Sequence, residues 1–126
     1  MKAFTDINQS KKLAEILPTE SADMCYRAYM EEGGIPDYQA TLCPYQFASW
    51  IGVPCWSLAA LLDIFPCSKE SPIVNLTRGG WNPSFTRRWF ATWEDEDKNV
   101  LCSADGINSV DAVVELILKL HEQKLL

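Results

Sequence analysis

The sequence predicts an α+β fold in which an antiparallel sheet of three or more strands packs against two to three helices. Two observations lead to this prediction. Residues 54–66 are almost entirely apolar with helical spacing, and such a helix must be buried at the centre of a domain. From Ile73 onward apolar and polar residues alternate, which is typical of half-buried strands. A chain of 126 residues fits one domain, and we expect residues 1–126 to form it.

The first element is predicted to be a helix over residues 4–17, packed at an edge of the sheet. Asp6 suits the N-cap position and Gln9 lies three residues later, which is the spacing of a capping box. Pro18 ends the helix, because the residue before a proline is pushed out of the helical region.

Residues 21–50 give the weakest signal in the chain. Residues 24–30 alternate as a strand does, and a helix is nearly as well supported there. The pairs Gly33-Gly34 and Pro36-Asp37 predict a turn or loop. Residues 38–43 fit a short edge strand.

The central helix within residues 54–66 has a start signal and a stop signal. Ser57 can act as the N-cap, because its hydroxyl can accept a hydrogen bond from a first-turn amide. Trp56 is expected to pack on Leu61 as a hydrophobic staple. Pro66 stops the helix.

Three strands and a helix are predicted in the last part of the chain. The strands cover residues 73–78, 85–94 and 99–104, and the short acidic stretch before the third predicts an antiparallel hairpin. Asp105-Gly106 is expected to end the sheet, and Asn108 or Ser109 to cap a helix that runs to Glu122. The central and last helices should cover one sheet face. The predicted core consists of Leu13, Leu17, Trp56, Leu58, Leu61, Leu62, Phe65, Val74, Leu76, Trp89 or Phe90, Val114, Ile117 and Leu118.

Charge and cysteine content restrict the cellular setting. A net charge of -6 disfavours general attraction to nucleic acids and anionic membranes. The first residues lack the apolar core of a signal peptide, and no apolar run approaches the length of a membrane span. The five cysteines are widely spaced without a C-x-x-C motif. We therefore expect reduced thiols and a cytoplasmic protein.

No arrangement of residues predicts catalysis, a metal site or a cofactor. His121 is the only histidine, so a Cys–His pair would depend on a residue near a helix end. Asp95, Asp97 and Asn99 imitate the start of a calcium loop. Val100 takes the position of the required glycine, however, and the twelfth position is not a glutamate. The chain is therefore interpreted as non-enzymatic, with a small thiol-dependent enzyme as an alternative.

Arginines and aromatic residues are mixed in the predicted sheet, and this mixture supplies the candidate binding residues. They are Arg78, Trp81, Arg87, Arg88 and Trp93. Tryptophan, tyrosine and arginine are the usual anchors of protein interfaces, so we expect an accessory protein that binds another protein. Arginine beside aromatic rings can also stack bases and neutralise phosphates, which makes a single-stranded nucleic-acid binder the alternative. A homo-oligomer and a display of acidic surface in place of DNA are both compatible with the composition.

Four segments occur in an order that resembles a group of small uncharacterised proteins from phages, prophages and genomes of gut bacteria. They are INQSKKL at residues 7–13, SADM at 21–24, PCWSLAALL at 54–62 and the helix after Ser109. The W-S-L-x-A-L-L piece is the most specific part, and residues 25–50 match least. The group has no established activity, so the resemblance transfers no catalytic residue. It implies a cytosolic protein of mobile-element origin.

Overall fold

A computed structural model describes residues 2–30, 36–42, 52–65, 73–79 and 88–126. Within these ranges the chain has an α+β fold with three α-helices and two three-stranded antiparallel sheets, which confirms the predicted class. The chain divides into two compact units. One is Phe4–Ala60, and the other comprises Met1–Ala3 and Leu61–Leu126. That residues 1–126 form one domain stays a prediction.

The first unit contains one helix and one sheet. Its elements are α1 (Ile7–Ala14), a short 3-10 helix (Thr19–Ser21), and strands β1 (Met24–Met30), β2 (Pro36–Leu42) and β3 (Gly52–Cys55). The strand order is β2-β1-β3, with β1 antiparallel to both neighbours. Helix α1 packs against β3, an edge strand, as expected of the N-terminal helix.

The capping box of α1 is present as predicted. The backbone N–H of Gln9 donates to Asp6 Oδ1 at 2.8 Å, and the backbone N–H of Asp6 donates to Gln9 Oε1 at 3.1 Å. The helix ends at Ala14 rather than at Leu17, because the amides of Glu15 and Ile16 bond to the carbonyls three residues back, those of Lys12 and Leu13, as in a 3-10 turn. Leu13 is fully buried and Leu17 is half-buried.

Strand β1 resolves the ambiguity of the middle region in favour of a strand, and β2 is the predicted edge strand. The turn predicted at Pro36-Asp37 is wrong, because both residues belong to β2 and pair with β1. Strand β3 is a correction to the sequence prediction, which placed Pro54 and Cys55 in the central helix. They pair instead with Cys25 and Met24 of β1. A proline is tolerated there because β3 lies at an edge of the sheet.

Helix α2 (Leu58–Asp63) is the predicted central helix, in shorter form. Its cap is confirmed, because the backbone N–H of Ala60 donates to Ser57 Oγ at 3.2 Å. Leu61 is fully buried, whereas Leu62 is 37% exposed and was wrongly assigned to the core. The stop at Pro66 lies outside the described residues.

The second unit contains a sheet and a longer helix. Its elements are β4 (Ile73–Arg78), β5 (Trp89–Glu94), β6 (Val100–Gly106) and α3 (Ser109–Glu122), and the strand order is β4-β5-β6. The bounds of β4, the β5–β6 hairpin and α3 with its N-cap Asn108 confirm the predictions. Residues 85–87 of the predicted strand lie outside the described residues.

Asp105-Gly106 lies at the end of the sheet, as predicted, but within the last strand rather than after it. Both residues belong to β6 and pair with Phe90 and Trp89. Gly106 is needed for close packing, since a Cβ atom at this position would lie 2.7 Å from the backbone nitrogen of Ala112. The glycine therefore brings the first turn of α3 close to the strand that precedes it.

Helix α3 covers one face of β5 and β6, as expected of the last helix.

Of the predicted core, Leu13, Trp56, Leu61, Phe65, Val114 and Ile117 are buried, and Leu17, Leu58, Val74, Leu76, Trp89, Phe90 and Leu118 are half-buried. Val110, Val113 and Leu120, which the sequence places on the apolar face of the last helix, are also fully buried, and so is Leu116, which the prediction missed. No helix in the described part of the chain has both the length and the apolar content to cross a membrane.

Candidate binding surface

The two faces of the β4-β5-β6 sheet differ in their exposure. The register aligns Val74, Trp93 and Cys102 in one row across the three strands, and Leu76, Ala91 and Ala104 in the next. In these rows the β5 and β6 residues are buried, and α3 packs against the same strands. We call this side the inner face.

The opposite side, the outer face, carries residues that are exposed or half-buried. Its middle is polar or aromatic, and an ion pair lies at one end. The residues that share this face by register and alternation are Ile73, Asn75, Thr77, Phe90, Thr92, Glu94, Val100, Ser103 and Asp105. A sheet face of this kind is a fixed platform, because the backbone ladder sets the spacing of its side chains.

Three exposed aliphatic side chains lie at one end of this platform. Ile73 opposes Glu94, and Glu94 opposes Val100, so Ile73, Glu94 and Val100 form one cross-strand row. Ile73 is 56% exposed, Val100 is 54% exposed, and the neighbouring Leu101 is 45% exposed. We call Ile73, Val100 and Leu101 the aliphatic row. Single exposed aliphatic residues are common on proteins, whereas several at one place mark candidate interaction sites.

A register shift produces the two adjacent exposed residues of β6. Trp93 opposes Cys102, yet Glu94 opposes Val100, so Leu101 is an additional residue in β6. Without the shift, Leu101 would oppose Glu94 and Val100 would continue the inner face. Bulges of this kind redirect side chains and are common beside functional sites.

The turn after β5 places carboxylates beside the aliphatic row. We call residues 94–97 the acidic turn. The Asp95 carboxylate accepts hydrogen bonds from the backbone amides of Asp97 and Asn99, both at 2.9 Å, and Lys98 has a left-handed backbone with φ 64°. The amide of Asn75 donates to Glu94 Oε2. The turn is therefore held by its own hydrogen bonds, while Glu96 and Asp97 are exposed.

Of the five predicted binding residues, the structure describes Arg78, Arg88 and Trp93, and it does not bring these three together on one exposed face. Arg88 forms an ion pair with Asp105 of the outer face, with Nε 2.7 Å from Oδ2. Arg78 is exposed and opposes Trp89 at the end of β4. Trp81 and Arg87 lie outside the described residues.

Trp93 is not an exposed aromatic residue, which corrects our expectation. It is 6% exposed, because alternation places it on the inner face beside Cys102. Its Nε1 is buried without a hydrogen-bond partner, and it is the one such side-chain atom found in the described part of the chain. Trp93 therefore belongs to the packing under α3, on the opposite face from Asp105 and its partner Arg88.

The first unit contains a buried polar network centred on Thr5. The Thr5 hydroxyl accepts a hydrogen bond from the backbone N–H of Trp56 at 3.2 Å and lies 2.7 Å from Ser10 Oγ. The Thr5 carbonyl accepts from Tyr26 Oη at 2.6 Å and from Cys55 Sγ at 3.5 Å. We call Thr5, Ser10, Tyr26 and Cys55 the threonine network.

The two titratable groups of this network, Cys55 and Tyr26, favour their protonated forms. Burial raises the pKa of the Cys55 thiol, and burial is also the first cause that raises the pKa of Tyr26 to about 12. A reactive thiol needs a lowered pKa and access to solvent. Cys25, Cys55 and Cys102 are all buried. Over the described ranges, no three His, Cys, Asp or Glu side chains are grouped as metal ligands would be.

Comparisons with protein-family models, curated proteins and solved structures gave no match to this chain. The resemblance to phage-associated proteins stays a prediction. The candidate binding surface is therefore supported by the geometry of the sheet alone.

Sequence reasoning missed the aliphatic row, although part of it had a signal. Ile73, Asn75 and Thr77 share one face by simple alternation, and their polar members could have placed Ile73 toward solvent. Val100 and Leu101 gave no such signal, because strict alternation allows only one of two neighbours to face outward. Their joint exposure depends on the bulge.

Proposed function

We propose that this protein is a non-enzymatic accessory module that binds another protein through the outer face of its β4-β5-β6 sheet. The observation that carries the proposal is the aliphatic row, in which Ile73, Val100 and Leu101 are each about half exposed. A cytoplasmic location and a phage or mobile-element origin are part of the same proposal. The contact surface replaces the Arg/aromatic set that the sequence suggested.

The physical basis of the proposal is the gain from covering preorganised apolar surface. Removing apolar surface from water is favourable by about 25 cal/mol per Å², and binding retains what is left after the entropy cost of association. The three side chains project from paired strands, so little backbone order must be gained on binding. Half-buried Phe90 and the polar residues beside it would form the wetter part of such an interface.

The test is capture of the partner by matched variants of the tagged protein. The row variant carries Ile73→Thr, Val100→Thr and Leu101→Thr, because threonine keeps a high strand propensity. The control variant carries Ile107→Thr and Leu125→Thr, which remove two exposed aliphatic residues outside the row. After nuclease treatment of the lysate, we expect wild type and control to retain one protein that the row variant loses. Equal capture by all three would refute the proposed surface.

Single-stranded nucleic-acid binding is the second candidate, and one observation favours it. Arg88 contacts an outer-face residue, and Phe90 shares that face, which is a pairing suited to base stacking. Asp105 already neutralises Arg88, however, and Glu94 is on the same face. If this candidate is correct, the captured protein carries nucleic acid, and its affinity for nucleic acid falls steeply as the salt concentration rises. Proteins lost on nuclease treatment would favour it over protein binding.

A small thiol-dependent enzyme is the alternative with the least support. It requires one cysteine that reacts faster than the others. Cys25, Cys55 and Cys102 are buried, and the pKa of Cys55 is raised. Alkylation of the native protein, read by mass spectrometry at each cysteine, should therefore be slow at these three positions. A fast reaction at one of them would instead support a thiol-dependent enzyme.

A further inference from the structure

The charges around the aliphatic row are unequal at the two ends of the outer face. At the far end, Arg88 and Asp105 form an ion pair and largely cancel each other. At the row end, the acidic turn begins at Glu94 and contains four carboxylates, and the residue after it, Lys98, carries one positive charge against their four negative charges. The row therefore lies beside an excess of negative charge.

Within the acidic turn, two carboxylates are used by the fold and two are available. Asn75 donates to the side chain of Glu94, and the backbone amides of the turn donate to Asp95. Glu96 and Asp97 are exposed, and no ion pair joins them to another residue in the described ranges. These two carboxylates can accept hydrogen bonds from a bound cation.

We infer that the partner presents a basic, apolar protein segment, in which lysine or arginine side chains stand next to aliphatic ones. This inference rests on the proposed function and names the chemistry of its partner. The aliphatic side chains of the segment would cover Ile73, Val100 and Leu101, and its cations would contact Glu96 and Asp97. Complementary charge at the rim of an interface selects the partner and speeds association.

The probe is a set of three labelled synthetic peptides, measured by fluorescence anisotropy with the full-length protein. One alternates leucine with lysine, one alternates leucine with glutamate, and one alternates serine with lysine. We expect binding of the leucine-lysine peptide only, because the surface requires both apolar and cationic groups. Equal binding of the serine-lysine peptide would overturn the inference, since it would mean attraction to net charge alone.

Two variants with the same change in net charge separate the acidic turn from the rest of the protein. The turn variant carries Glu96→Gln and Asp97→Asn. The control carries Glu115→Gln and Glu122→Gln, which are exposed on α3. We expect the turn variant to bind the leucine-lysine peptide about fivefold more weakly, and the control to change binding less than twofold. Equal weakening in both would overturn the inference.

Failure of this inference can be told from failure of the proposed function. If capture of the natural partner needs the aliphatic row but is unaffected by the turn variant and by salt, the protein binds through the row and the basic partner is wrong. If the row variant captures the same partner as wild type, the proposed function itself is wrong.

Discussion

The two units differ in whether their buried polar groups have hydrogen-bond partners and in whether they expose large apolar residues. In the first unit, the threonine network joins its buried hydroxyl, phenol and thiol groups by hydrogen bonds. In the second, Trp93 Nε1 is buried without a partner. All six large apolar residues found exposed in the described residues also lie in the second unit: Leu62, Ile73, Val100, Leu101, Ile107 and Leu125.

This difference separates what holds the chain together from what is available to a partner. A buried polar group costs free energy unless it is hydrogen-bonded, so the threonine network stabilises the first unit only while every member is present. An exposed aliphatic residue contributes little to folding and becomes favourable when another surface covers it. Substitutions in the first unit should therefore change stability, and substitutions in the aliphatic row should change binding.

The largest effect is expected from Trp56→Ala. Trp56 is fully buried, and its Nε1 donates to Ser21 Oγ at 2.9 Å. Removing a buried tryptophan leaves a cavity and lowers the free energy of unfolding by about 3–5 kcal/mol. Urea unfolding followed by circular dichroism measures this loss. A loss below about 1 kcal/mol would show that the first unit does not depend on this residue.

Thr5→Val is expected to have the next largest effect. Valine keeps the shape of threonine but leaves the backbone N–H of Trp56 without its acceptor and removes one partner of the Ser10 hydroxyl. We expect a loss of about 1–3 kcal/mol in the free energy of unfolding. Thr77→Val is the control, because Thr77 is exposed on the outer face and should change stability by less than about 0.5 kcal/mol. Equal losses in the free energy of unfolding for Thr5→Val and Thr77→Val would contradict the expectation that the buried network, and not the outer face, determines stability.

Local signals explain which elements the sequence could predict. The capping box of Asp6 and Gln9, the alternation of β4 and the cap at Asn108 each involve residues within one short segment. Strand β3 was missed because only its pairing with β1 makes Pro54 and Cys55 part of a sheet. Burial of the predicted binding residue Trp93 was missed for the same reason, since α3, which packs against its strand, lies later in the chain.

A matched pair of conservative substitutions compares the two tryptophans directly. Trp56→Phe removes an indole N–H that has a partner, whereas Trp93→Phe removes one that has none. Both lose similar apolar volume, so the difference reports the hydrogen bond. We expect Trp56→Phe to cost about 1 kcal/mol more than Trp93→Phe in urea unfolding. The reverse order would mean that a water molecule or another polar group accepts a hydrogen bond from Trp93 Nε1.

Alkaline pH should weaken the threonine network through Tyr26. Its pKa in the folded protein is about 12, above the ordinary value of 10.0, so folding favours the protonated phenol. The resulting stability is complete below about pH 10 and is lost as the pH rises to about 12. Tyr26→Phe should therefore flatten the decline of stability over this range, although it lowers stability at pH 7 by removing the bond to Thr5. An unchanged slope in the variant would assign the alkaline loss to other groups.

A small effect on stability for each residue changed is expected from the row variant with threonine at positions 73, 100 and 101. Each side chain is already about half exposed, so little buried surface is lost, and threonine suits a strand. Exposed substitutions of this kind usually change the free energy of unfolding by less than about 0.5 kcal/mol each. A stable row variant that no longer captures its partner would show that Ile73, Val100 and Leu101 serve binding rather than folding. A large loss of stability would instead place the row in the core of the second unit, and its effect on capture would then follow from unfolding.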